Sequence, residues 1–305
     1  MEENNLPLVS IVIPCYNHEQ FVQDCIQGII DQTYENIELI IIDDGSKDDS
    51  VLRIQEMVEK CQNRFKRFEF RCRPNKGLSA TLNEMIDWSL GKYFSACASD
   101  DILYPNATSL CVDLLERRED CGICHAHAES IYGTPDISST NIKDKEFTFE
   151  QLIKKNQILA LTVIIRRSVF DDVGVFDDSL YIEDWDMWLR ISYAGYKIGF
   201  VNEVVAFYRY HDNNISKNFE RMELASDQIL NKWKGSIYYE NALINEKIRR
   251  FYFYSDSNKQ QALIYLKTAL LHINNYYSFF GVVKFLLPVF VVRMITNIIL
   301  FFRRK

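Results

Sequence analysis

The stretch Tyr93-Phe-Ser-Ala-Cys-Ala-Ser-Asp-Asp-Ile-Leu-Tyr-Pro105 joins a short apolar run to two adjacent acids, Asp100 and Asp101. An apolar run that stops on polar residues is typical of a buried strand, and open α/β sheets bind ligands where such strands end. Two carboxylates at that edge can hold a divalent ion such as Mg²⁺ or Mn²⁺, because hard cations prefer oxygen ligands. The structural alternative is that both acids cap the helix that begins after Pro105.

Two earlier apolar runs repeat this pattern. Residues 8–13 and residues 37–42 are apolar apart from Ser10 and Glu38, and the second run is followed by Asp43 and Asp44. Amphipathic helical patterns follow both runs, and such alternation of strands and helices predicts a parallel sheet. Because the carboxyl ends of parallel strands share one edge of a sheet, we expect Asp44 and Asp100 to face one cleft.

Hydrophobic periodicity assigns most of the remaining elements up to residue 215. The predicted helices cover residues 50–61, 78–90 (closed by Gly91), 106–118, 168–173 and 183–191. The predicted strands cover residues 68–72, 123–132, 162–165 and two short segments within 196–210. Residues 133–145 are polar and are expected to form a surface loop. This order of elements predicts an α/β fold with a mixed, mainly parallel sheet flanked by helices.

Composition and charge limit the class of protein. The 305 residues are 48% apolar, which suits one large domain with an appendage, and the net charge is −7 with a pI near 5.4. This acidity argues against a nucleic-acid partner, because nucleic-acid binding relies on a basic surface. The first five residues are acidic and polar, unlike a signal peptide, so a cytoplasmic location is expected.

The eight cysteines lie mostly within apolar runs, where reduced structural thiols are usual. Cys121-Gly-Ile-Cys124-His125 matches a short haem-attachment pattern, and the nearby His127 also suggests zinc. Haem attachment of this type is expected outside the cytoplasm, and no second ligand pair follows at zinc-finger spacing. We therefore expect a strand with buried thiols here.

The C-terminal part of the chain has a different pattern. Residues 216–277 are helical and charged in pattern, whereas residues 279–302 are strongly apolar and are followed by three basic residues. The uncharged runs within this apolar segment are too short to span a bilayer separately. Arg293, Asn297 and Arg304 fall on one side of a helix. This favours an interfacial helix at the inner face of the cytoplasmic membrane over a buried helix or an oligomer contact.

Six short motifs occur in order along residues 8–216. They are Val9-Ser-Ile-Val-Ile-Pro-Cys-Tyr-Asn17, Asp43-Asp-Gly-Ser46, Asn75-Lys-Gly77, Ser99-Asp-Asp101 with Pro105, Glu183-Asp-Trp-Asp186 and Tyr208-Arg-Tyr-His211. Each motif is weak alone, but with all six in this order and spacing the chain resembles an inverting glycosyltransferase of family 2. The resemblance implies the Rossmann-like GT-A fold over residues 1–215, with a nucleotide-binding half (1–105) and an acceptor-binding half (106–215). A C-terminal helical region over residues 216–305, with a membrane-associating end, would follow.

The resemblance also implies how the donor is bound. The residues implied to hold the nucleotide sugar are Pro14, Tyr16, Asn17, Asp44, Lys76, Gly77 and Asp100. An acid can accept the ring N–H of uracil while an aromatic ring stacks on the base, which favours UDP-sugars over guanine nucleotides. The implied metal ligands for Mn²⁺ or Mg²⁺ are Asp100, Asp101 and His211, with a structural role for His211 as the alternative.

On the acceptor side, Asp184 matches the family's catalytic base, and Glu183 would help to place the acceptor. The metal would stabilise the departing UDP by neutralising charge. Two positions depart from the family pattern. Ala98 stands where an acid is common, two positions before the metal ligand, and Leu82 stands where an arginine often precedes an asparagine. Diphosphate binding would therefore rely on a different cation, namely Lys76, Arg73 or His211.

These features predict a metal-dependent enzyme that moves a hexose or N-acetylhexosamine from a UDP-sugar to a hydroxyl of a polyprenyl diphosphate-linked saccharide. O-antigen or capsule synthesis is the expected setting, because the apolar, basic C-terminus would bring the site to the membrane. The alternative is a non-catalytic nucleotide-sugar-binding or scaffold protein, and the presence of both Asp100 and Asp184 argues against it. A nucleotidyltransferase would need a glycine-rich and basic phosphate loop after the first strand, and Pro14-Cys-Tyr-Asn17 is not one.

Overall fold

The computed structural model describes residues 6–130, 146–212, 214, 217–288 and 291–292. The chain divides into two compact units, one of residues 1–149 and 157–229 and the other of residues 150–156 and 230–305. The domain boundary that the sequence suggests after residue 215 remains a prediction. The predicted loop over residues 133–145 and the predicted helix face of Arg293, Asn297 and Arg304 lie outside the described residues.

The first unit contains an eight-stranded sheet. The strands are β1 (Val9–Cys15), β2 (Ile37–Asp43), β3 (Phe68–Cys72), β4 (Tyr93–Ala96), β5 (Ile102–Leu103), β6 (Cys121–Ser130), β7 (Ile164–Arg166) and β8 (Lys197–Tyr208). The helices before the end of the sheet are α1 (Val22–Ile30), α2 (Ser50–Gln55), α3 (Val58–Arg64), α4 (Leu78–Trp88), α5 (Ala107–Arg117), α6 (Phe149–Lys154), α7 (Val169–Val173) and α8 (Glu183–Tyr193). The helices after it are α9 (Phe219–Lys232), α10 (Tyr239–Ser257), α11 (Lys259–Leu271) and α12 (Tyr276–Leu286).

The strand order is β3-β2-β1-β4-β7-β6-β8-β5. Strands β1 to β4 pair in parallel, as do β6 and β8, whereas β7 is antiparallel to β4 and β6, and β5 is antiparallel to β8. Every residue of β2 is buried, as expected for a parallel strand covered on both faces. The predicted mixed α/β fold is confirmed.

Several element boundaries differ from the predicted ones. Residues 50–61 form two helices, α2 and α3, where the periodicity predicts one, and α4 ends at Trp88. Residues 197–208 form the single strand β8, which pairs with β6 along its length. The register of this pair shifts at three places, and such bulges break the two-residue alternation on which the sequence prediction rests. The expected strand with buried thiols is confirmed, because Cys121 and Cys124 are both buried in β6.

A buried carboxylate joins β1, β2 and the connection from α4 to β4. Glu38 is fully buried and accepts hydrogen bonds from the Ser10 hydroxyl (2.5 Å), Arg67 Nη1 (2.6 Å) and the backbone N–H groups of Leu90 (2.6 Å) and Gly91 (3.1 Å). A Cβ atom at Gly91 would lie 2.5 Å from the hydroxyl oxygen of Ser10. Gly91 therefore permits this close approach. The prediction that Gly91 closes α4 is wrong, because the C-cap of this helix is Ser89.

We expect the Glu38→Ala variant to be less stable by about 3–5 kcal/mol, because the Ser10 hydroxyl and the N–H groups of Leu90 and Gly91 lose their acceptor and the partly exposed Arg67 loses its ionic partner. Urea unfolding monitored by circular dichroism measures this change. The control is Glu69→Ala, which removes a partly exposed acid that pairs with Arg71 and should cost less than about 1 kcal/mol. Equal losses in both variants would contradict a structural role for the Glu38 cluster.

The second unit contains a small helical core. Phe251 of α10 and the alanines Ala262 and Ala269 of α11 form this core, and partly buried side chains of α12 pack against it. A Cβ atom at Gly281 of α12 would lie 2.8 Å from the Phe251 ring, so the absence of a side chain allows this close packing. Among the described residues, no helix has the length and apolar character required to cross a membrane.

Candidate active site

The carboxyl ends of three strands lie at one edge of the sheet. β1 pairs in parallel with both β2 and β4, so the segments that follow these strands emerge on the same side. These segments contain residues 16–18 after β1, Asp44 after β2 and Asp100 after β4. Both Asp pairs that the sequence singles out therefore begin at the same edge.

Asp44 is buried and holds the loop that precedes α4. Its Oδ1 accepts from the backbone N–H of Lys76 (2.8 Å), and its Oδ2 accepts from the backbone N–H of Gly77 (2.9 Å). The guanidinium of Arg73 also bonds to Oδ1. Gly77 has a φ of 90°, a conformation that favours glycine. The structure thus brings together Asp44, Lys76 and Gly77, three of the residues predicted to hold the nucleotide sugar.

The two basic side chains of this loop have acidic partners. Arg73 donates to Glu84 Oε2 (2.8 Å) and Thr81 Oγ1 (2.8 Å) in addition to Asp44, and only 12% of its side chain is exposed. Lys76 Nζ lies 3.6 Å from Glu84 Oε2, but its side chain is 59% exposed. Arg73 therefore supports Asp44, whereas the exposed Lys76 is better placed to meet a ligand.

The loop after β1 is tied to the loop after β2. Asn17 has a φ of 56°, in the left-handed region that asparagine tolerates better than most residues. Its N–H donates to the Ser46 hydroxyl (2.8 Å), and its Oδ1 accepts from the N–H of Lys47 (2.7 Å). Pro14, near the end of β1, is partly buried, and Tyr16 is 45% exposed. The loop thus leaves an aromatic ring accessible at this edge.

Asp100 lies in a cluster with two histidines that are distant in sequence. Its Oδ2 is 2.9 Å from His211 Nε2, and its Oδ1 is 4.0 Å from His18 Nδ1. One ligand atom from each of the three residues lies within 4.8 Å of the others. Asn214 supports the cluster, because its Oδ1 accepts from the His211 N–H (2.6 Å) and its Nδ2 is 3.4 Å from Asp100 Oδ2.

His18, the third member of this cluster, lies outside the six sequence motifs. Its position directly after β1, at the edge where both Asp pairs lie, is the only sequence signal that points to it. Its Nδ1 is 2.7 Å from the Ser99 hydroxyl, and its backbone N–H donates to the Ser50 hydroxyl (2.8 Å). Burial lowers the pKa of His18, although the charge of Asp100 partly opposes this effect. The neutral imidazole, which is the form that binds metal ions, is thereby favoured.

Asp101 has different partners from Asp100. Its Oδ1 accepts from the backbone N–H of Arg209 (2.8 Å), and Arg209 Nε donates to the backbone oxygen of Asp100 (2.8 Å). Burial, together with the charge of Asp100, raises the pKa of Asp101 to about 8. The carboxylate of Asp101 is thus bonded to the residue that follows β8 and lies outside the cluster of His18, Asp100 and His211. The role of Asp101 as a metal ligand stays a prediction.

The position where the family often has an arginine is part of the core. Leu82 is 4% exposed within α4. The next residue, Asn83, donates from Nδ2 to the backbone oxygen of Phe176 (2.8 Å) and accepts at Oδ1 from the Phe176 N–H (2.9 Å). Asn83 therefore fixes the segment between α7 and α8, and Leu82 offers no group to a diphosphate.

The predicted acceptor-side acids lie in the first turn of α8. Glu183 and Asp184 are partly buried, and acids at this position interact favourably with the helix dipole. Asp186 is fully buried and pairs with Arg190 (2.8 Å), whose guanidinium also donates to the backbone oxygens of residues 173–175. Asp186 and Arg190 therefore hold α8 against the segment before it, and Glu183 and Asp184 stay the predicted acceptor-side acids.

The titration of Glu183 gives a testable prediction. Burial and the charge of Asp184 raise the pKa of Glu183 from 4.5 to about 8. The folded chain then binds this proton more tightly than the unfolded chain, so Glu183 lowers stability progressively as the pH rises from about 4.5 to about 8. Glutamine cannot ionise. The melting temperature of Glu183→Gln minus that of the wild type should therefore increase across this pH range and stay constant above it.

Melting curves at several pH values between 5 and 9 measure this difference. The exposed Glu119, changed to Gln, is the control and should show no such trend. A difference between Glu183→Gln and the wild type that stays constant with pH would contradict the raised pKa.

Two family models match the chain. The model described as glycosyl transferase family 2 matches residues 10–174, more than half of the chain, and includes β1, β2 and β4 with their loops. The chain belongs to glycosyltransferase family 2. A second model, described as glycosyl transferase family group 2, matches residues 99–302. This family 2 protein is therefore a glycosyltransferase enzyme.

Relatives of this family 2 transferase include an uncharacterized glycosyltransferase of Haemophilus influenzae. It is 30% identical over 305 residues, which cover 90% of this chain and 92% of the relative. The chondroitin synthase of Pasteurella multocida is 24% identical over 270 residues, which cover 87% of this chain but only 28% of the synthase.

Solved structures share the GT-A fold with this family 2 transferase. The mannosyltransferase PcManGT from Pyrobaculum calidifontis, in complex with GDP-Man and Mn²⁺, superposes with a TM-score of 0.65 at 13% identity, covering 88% of this chain and 75% of its own. TarS 1-349 of S. aureus, in complex with UDP-GlcNAc, gives a TM-score of 0.58 at 16% identity, covering 90% and 89%. At these identities the likeness concerns the fold.

The donor set of the family 2 site fits a divalent ion. His18, Asp100 and His211 offer two imidazole nitrogens and a carboxylate, and these groups bind ions such as Mn²⁺. Polar neighbours hold these residues in place, since Ser99 contacts His18 Nδ1 and Asn214 contacts both the backbone N–H of His211 and the carboxylate of Asp100. The described residues thus offer one cluster suited to a metal ion.

Proposed function

We propose that this family 2 transferase moves a hexose or N-acetylhexosamine from a UDP-sugar to a hydroxyl of a polyprenyl diphosphate-linked saccharide during surface polysaccharide synthesis, such as O-antigen or capsule. The observation that carries the proposal is the contact of 2.9 Å between Asp100 and His211, which are 111 residues apart. It creates an ion-binding cluster at the same sheet edge as the loop held by Asp44.

The donor pocket lies along this edge. Tyr16 has an exposed ring that can stack on uracil, and Lys76 has an exposed cation for the diphosphate. Asp44 holds the backbone of residues 76 and 77, which gives it a positioning role in addition to accepting the uracil N–H. The complex of TarS with UDP-GlcNAc supports a UDP-sugar donor, while that of PcManGT with GDP-Man makes GDP-sugars the necessary comparison.

Asp100 and His211 would hold Mn²⁺ or Mg²⁺ in the transferase. When bound, the ion neutralises charge on the diphosphate as the nucleotide departs. The chain's own groups must then do two things: bind the nucleotide at the edge of β1 and β2, and remove a proton from the acceptor.

Asp184 would remove that proton. Its carboxylate takes the proton of the acceptor hydroxyl, whose oxygen attacks the anomeric carbon opposite the departing UDP, and the configuration is therefore inverted. Burial and the charge of Asp184 raise the pKa of Glu183 to about 8, so Glu183 is mostly protonated near pH 7 and can donate a hydrogen bond to the acceptor, which leaves the role of base to Asp184.

The second unit would dock on the membrane that carries the acceptor. The exposed apolar side chains of α11 are Leu263, Ile264, Leu270 and Leu271, and those of α12 are Tyr276, Phe279, Phe280, Val283 and Leu286. Residues 257–305 contain seven lysines and arginines and no acid, although the net charge of the whole chain is −7. An apolar surface with aromatic rings and basic neighbours suits an interface with anionic lipids.

We expect the full chain to sediment with vesicles that contain anionic phospholipid, and this binding to weaken with added salt. Changing both Phe279 and Phe280 to Ser should lower the partition coefficient of the protein between vesicles and solution by about tenfold or more. The variant lacks two apolar rings whose transfer from water into the lipid favours binding. The control is Leu224→Ser in α9, which removes a side chain of 66% exposure outside this surface. Unchanged partition of the double variant would contradict docking through α12.

The direct test of the proposed function is nucleotide release from a panel of UDP- and GDP-sugars, with Mn²⁺ or Mg²⁺ and a synthetic lipid-diphosphate saccharide acceptor. Release from one UDP-sugar that depends on the acceptor would support the transferase and identify its sugar. Tight UDP binding without turnover of any donor would instead favour the non-catalytic binding protein.

A further inference from the structure

The ion-binding cluster contains more nitrogen than oxygen among its protein ligands. His18 and His211 each offer a ring nitrogen, and Asp100 offers the only carboxylate in the cluster. The neighbouring carboxylate of Asp101 is bonded to the backbone of Arg209 and is not part of it. Mg²⁺ prefers oxygen ligands, whereas first-row transition ions such as Mn²⁺, Fe²⁺ and Co²⁺ accept imidazole.

The His18 ring is held in place from several sides. The Ser99 hydroxyl lies 2.7 Å from Nδ1, and the ring meets those of His211 and Phe21 edge-on at centroid distances of 5.7 and 5.9 Å. The backbone N–H of His18 is fixed by Ser50 from the start of α2. These contacts come from different segments of the sheet edge, so the ring faces Asp100 without having to be ordered by a ligand.

His211 is held equally well. Its ring packs against Phe21 at 4.9 Å, and Asn214 bonds its backbone N–H. The three ligand atoms lie within 4.8 Å of one another. Ligand atoms of one ion lie about 2.0–2.2 Å from it, so small movements of the side chains would bring all three atoms to the same ion.

We infer that His18 is a third protein ligand of the metal ion, and that the resulting set of two histidines and one carboxylate selects a transition ion over Mg²⁺. The inference rests on the proposed function, because the ion is the one that the transferase would use. It adds a ligand that the sequence motifs do not contain, and it narrows the choice between Mn²⁺ and Mg²⁺.

The first test measures Mn²⁺ binding to the full chain by electron paramagnetic resonance, without donor or acceptor. Pulsed measurements detect imidazole nitrogens bound to Mn²⁺ through their nuclear spin. We expect two coupled nitrogens in the wild type and one in His18→Ala, with a loss of Mn²⁺ affinity of about tenfold or more. The exposed His272, changed to Ala, is the matched histidine control and should retain two nitrogens and full affinity.

The second test concerns selectivity. Mg²⁺ should displace Mn²⁺ from the wild type only at an excess of about a hundredfold or more. His18→Asp replaces a nitrogen ligand by an oxygen ligand, so it should retain a metal site and require a smaller excess of Mg²⁺. This variant also guards against misfolding of His18→Ala, and melting curves show whether each variant is folded.

An unchanged nitrogen count and Mn²⁺ affinity in folded His18→Ala, or displacement of Mn²⁺ from the wild type by an equal concentration of Mg²⁺, would overturn the inference. These readouts do not require turnover. A chain that binds Mn²⁺ through two nitrogens but transfers no sugar would retain the inference and contradict the proposed function. An active transferase whose Mn²⁺ binds a single nitrogen would support the proposed function and contradict the inference.

Discussion

Replacing Asp184 by asparagine is expected to lower kcat by about 10²–10⁴-fold, the usual contribution of a positioned general base. Asparagine has nearly the same shape but cannot accept the proton of the acceptor hydroxyl. KM for the donor should change little, because Asp184 lies at the start of α8 and not among the residues predicted to hold the nucleotide. Steady-state rates at saturating donor and acceptor measure both quantities.

The matched control is Glu183→Gln, the adjacent acid in the same helical turn. Since the raised pKa keeps Glu183 protonated near neutral pH, glutamine resembles its existing state, and kcat should fall by about tenfold or less. If Glu183→Gln loses as much activity as Asp184→Asn, or if Asp184→Asn remains fully active, the assignment of the base to Asp184 is wrong.

The second large effect is expected at Asp100. Asp100→Asn should lower metal-dependent transfer by about 10²-fold or more, since it removes the only carboxylate that the cluster offers to the ion. The loss should be smaller at high Mn²⁺ concentration, because a weakened site is partly refilled by mass action. Initial rates over a Mn²⁺ titration separate the loss of metal affinity from the loss of maximal rate.

Asp101→Asn is the matched control for this variant. The carboxylate of Asp101 accepts from the backbone N–H of Arg209 and lies outside the cluster of His18, Asp100 and His211, and asparagine keeps an oxygen that can accept this bond. The Mn²⁺ dependence of Asp101→Asn should therefore match that of the wild type. A shift to higher Mn²⁺ in Asp101→Asn, equal to that in Asp100→Asn, would restore Asp101 as a metal ligand.

The sequence predicts the edge of the sheet well. Strands β1, β2 and β4 are buried and have mainly apolar sequences, and polar residues follow the end of each strand. Since parallel pairing places the ends of such strands together, the common edge of Asp44 and Asp100 can be predicted without coordinates.

The partners at this edge cannot be predicted in the same way. Asp44 bonds to backbone N–H groups more than thirty residues away, and Asp101 bonds to the backbone of Arg209 across 108 residues. A motif shows that an acid is present but not which hydrogen bonds its carboxylate already makes. His18 was missed for a related reason, because its importance depends on the position of His211 after β8.

Bulges and close approaches account for the remaining differences. The pairing of β6 with β8 shifts register, so a two-residue alternation cannot be followed through β8. Gly91 was interpreted from local sequence as a helix cap, but a contact with Ser10 on another strand requires it. In both places the tertiary contact, and not the local pattern, decides the structure.

The most direct measurement is the anomeric configuration of the product, determined by NMR after transfer from the α-linked UDP-sugar that the donor panel identifies. Attack by a single acceptor hydroxyl, with Asp184 as the base, predicts a β-linked product that is not formed by Asp184→Asn. An α-linked product, or a β-linked product formed equally fast by Asp184→Asn, would contradict inverting transfer by this site.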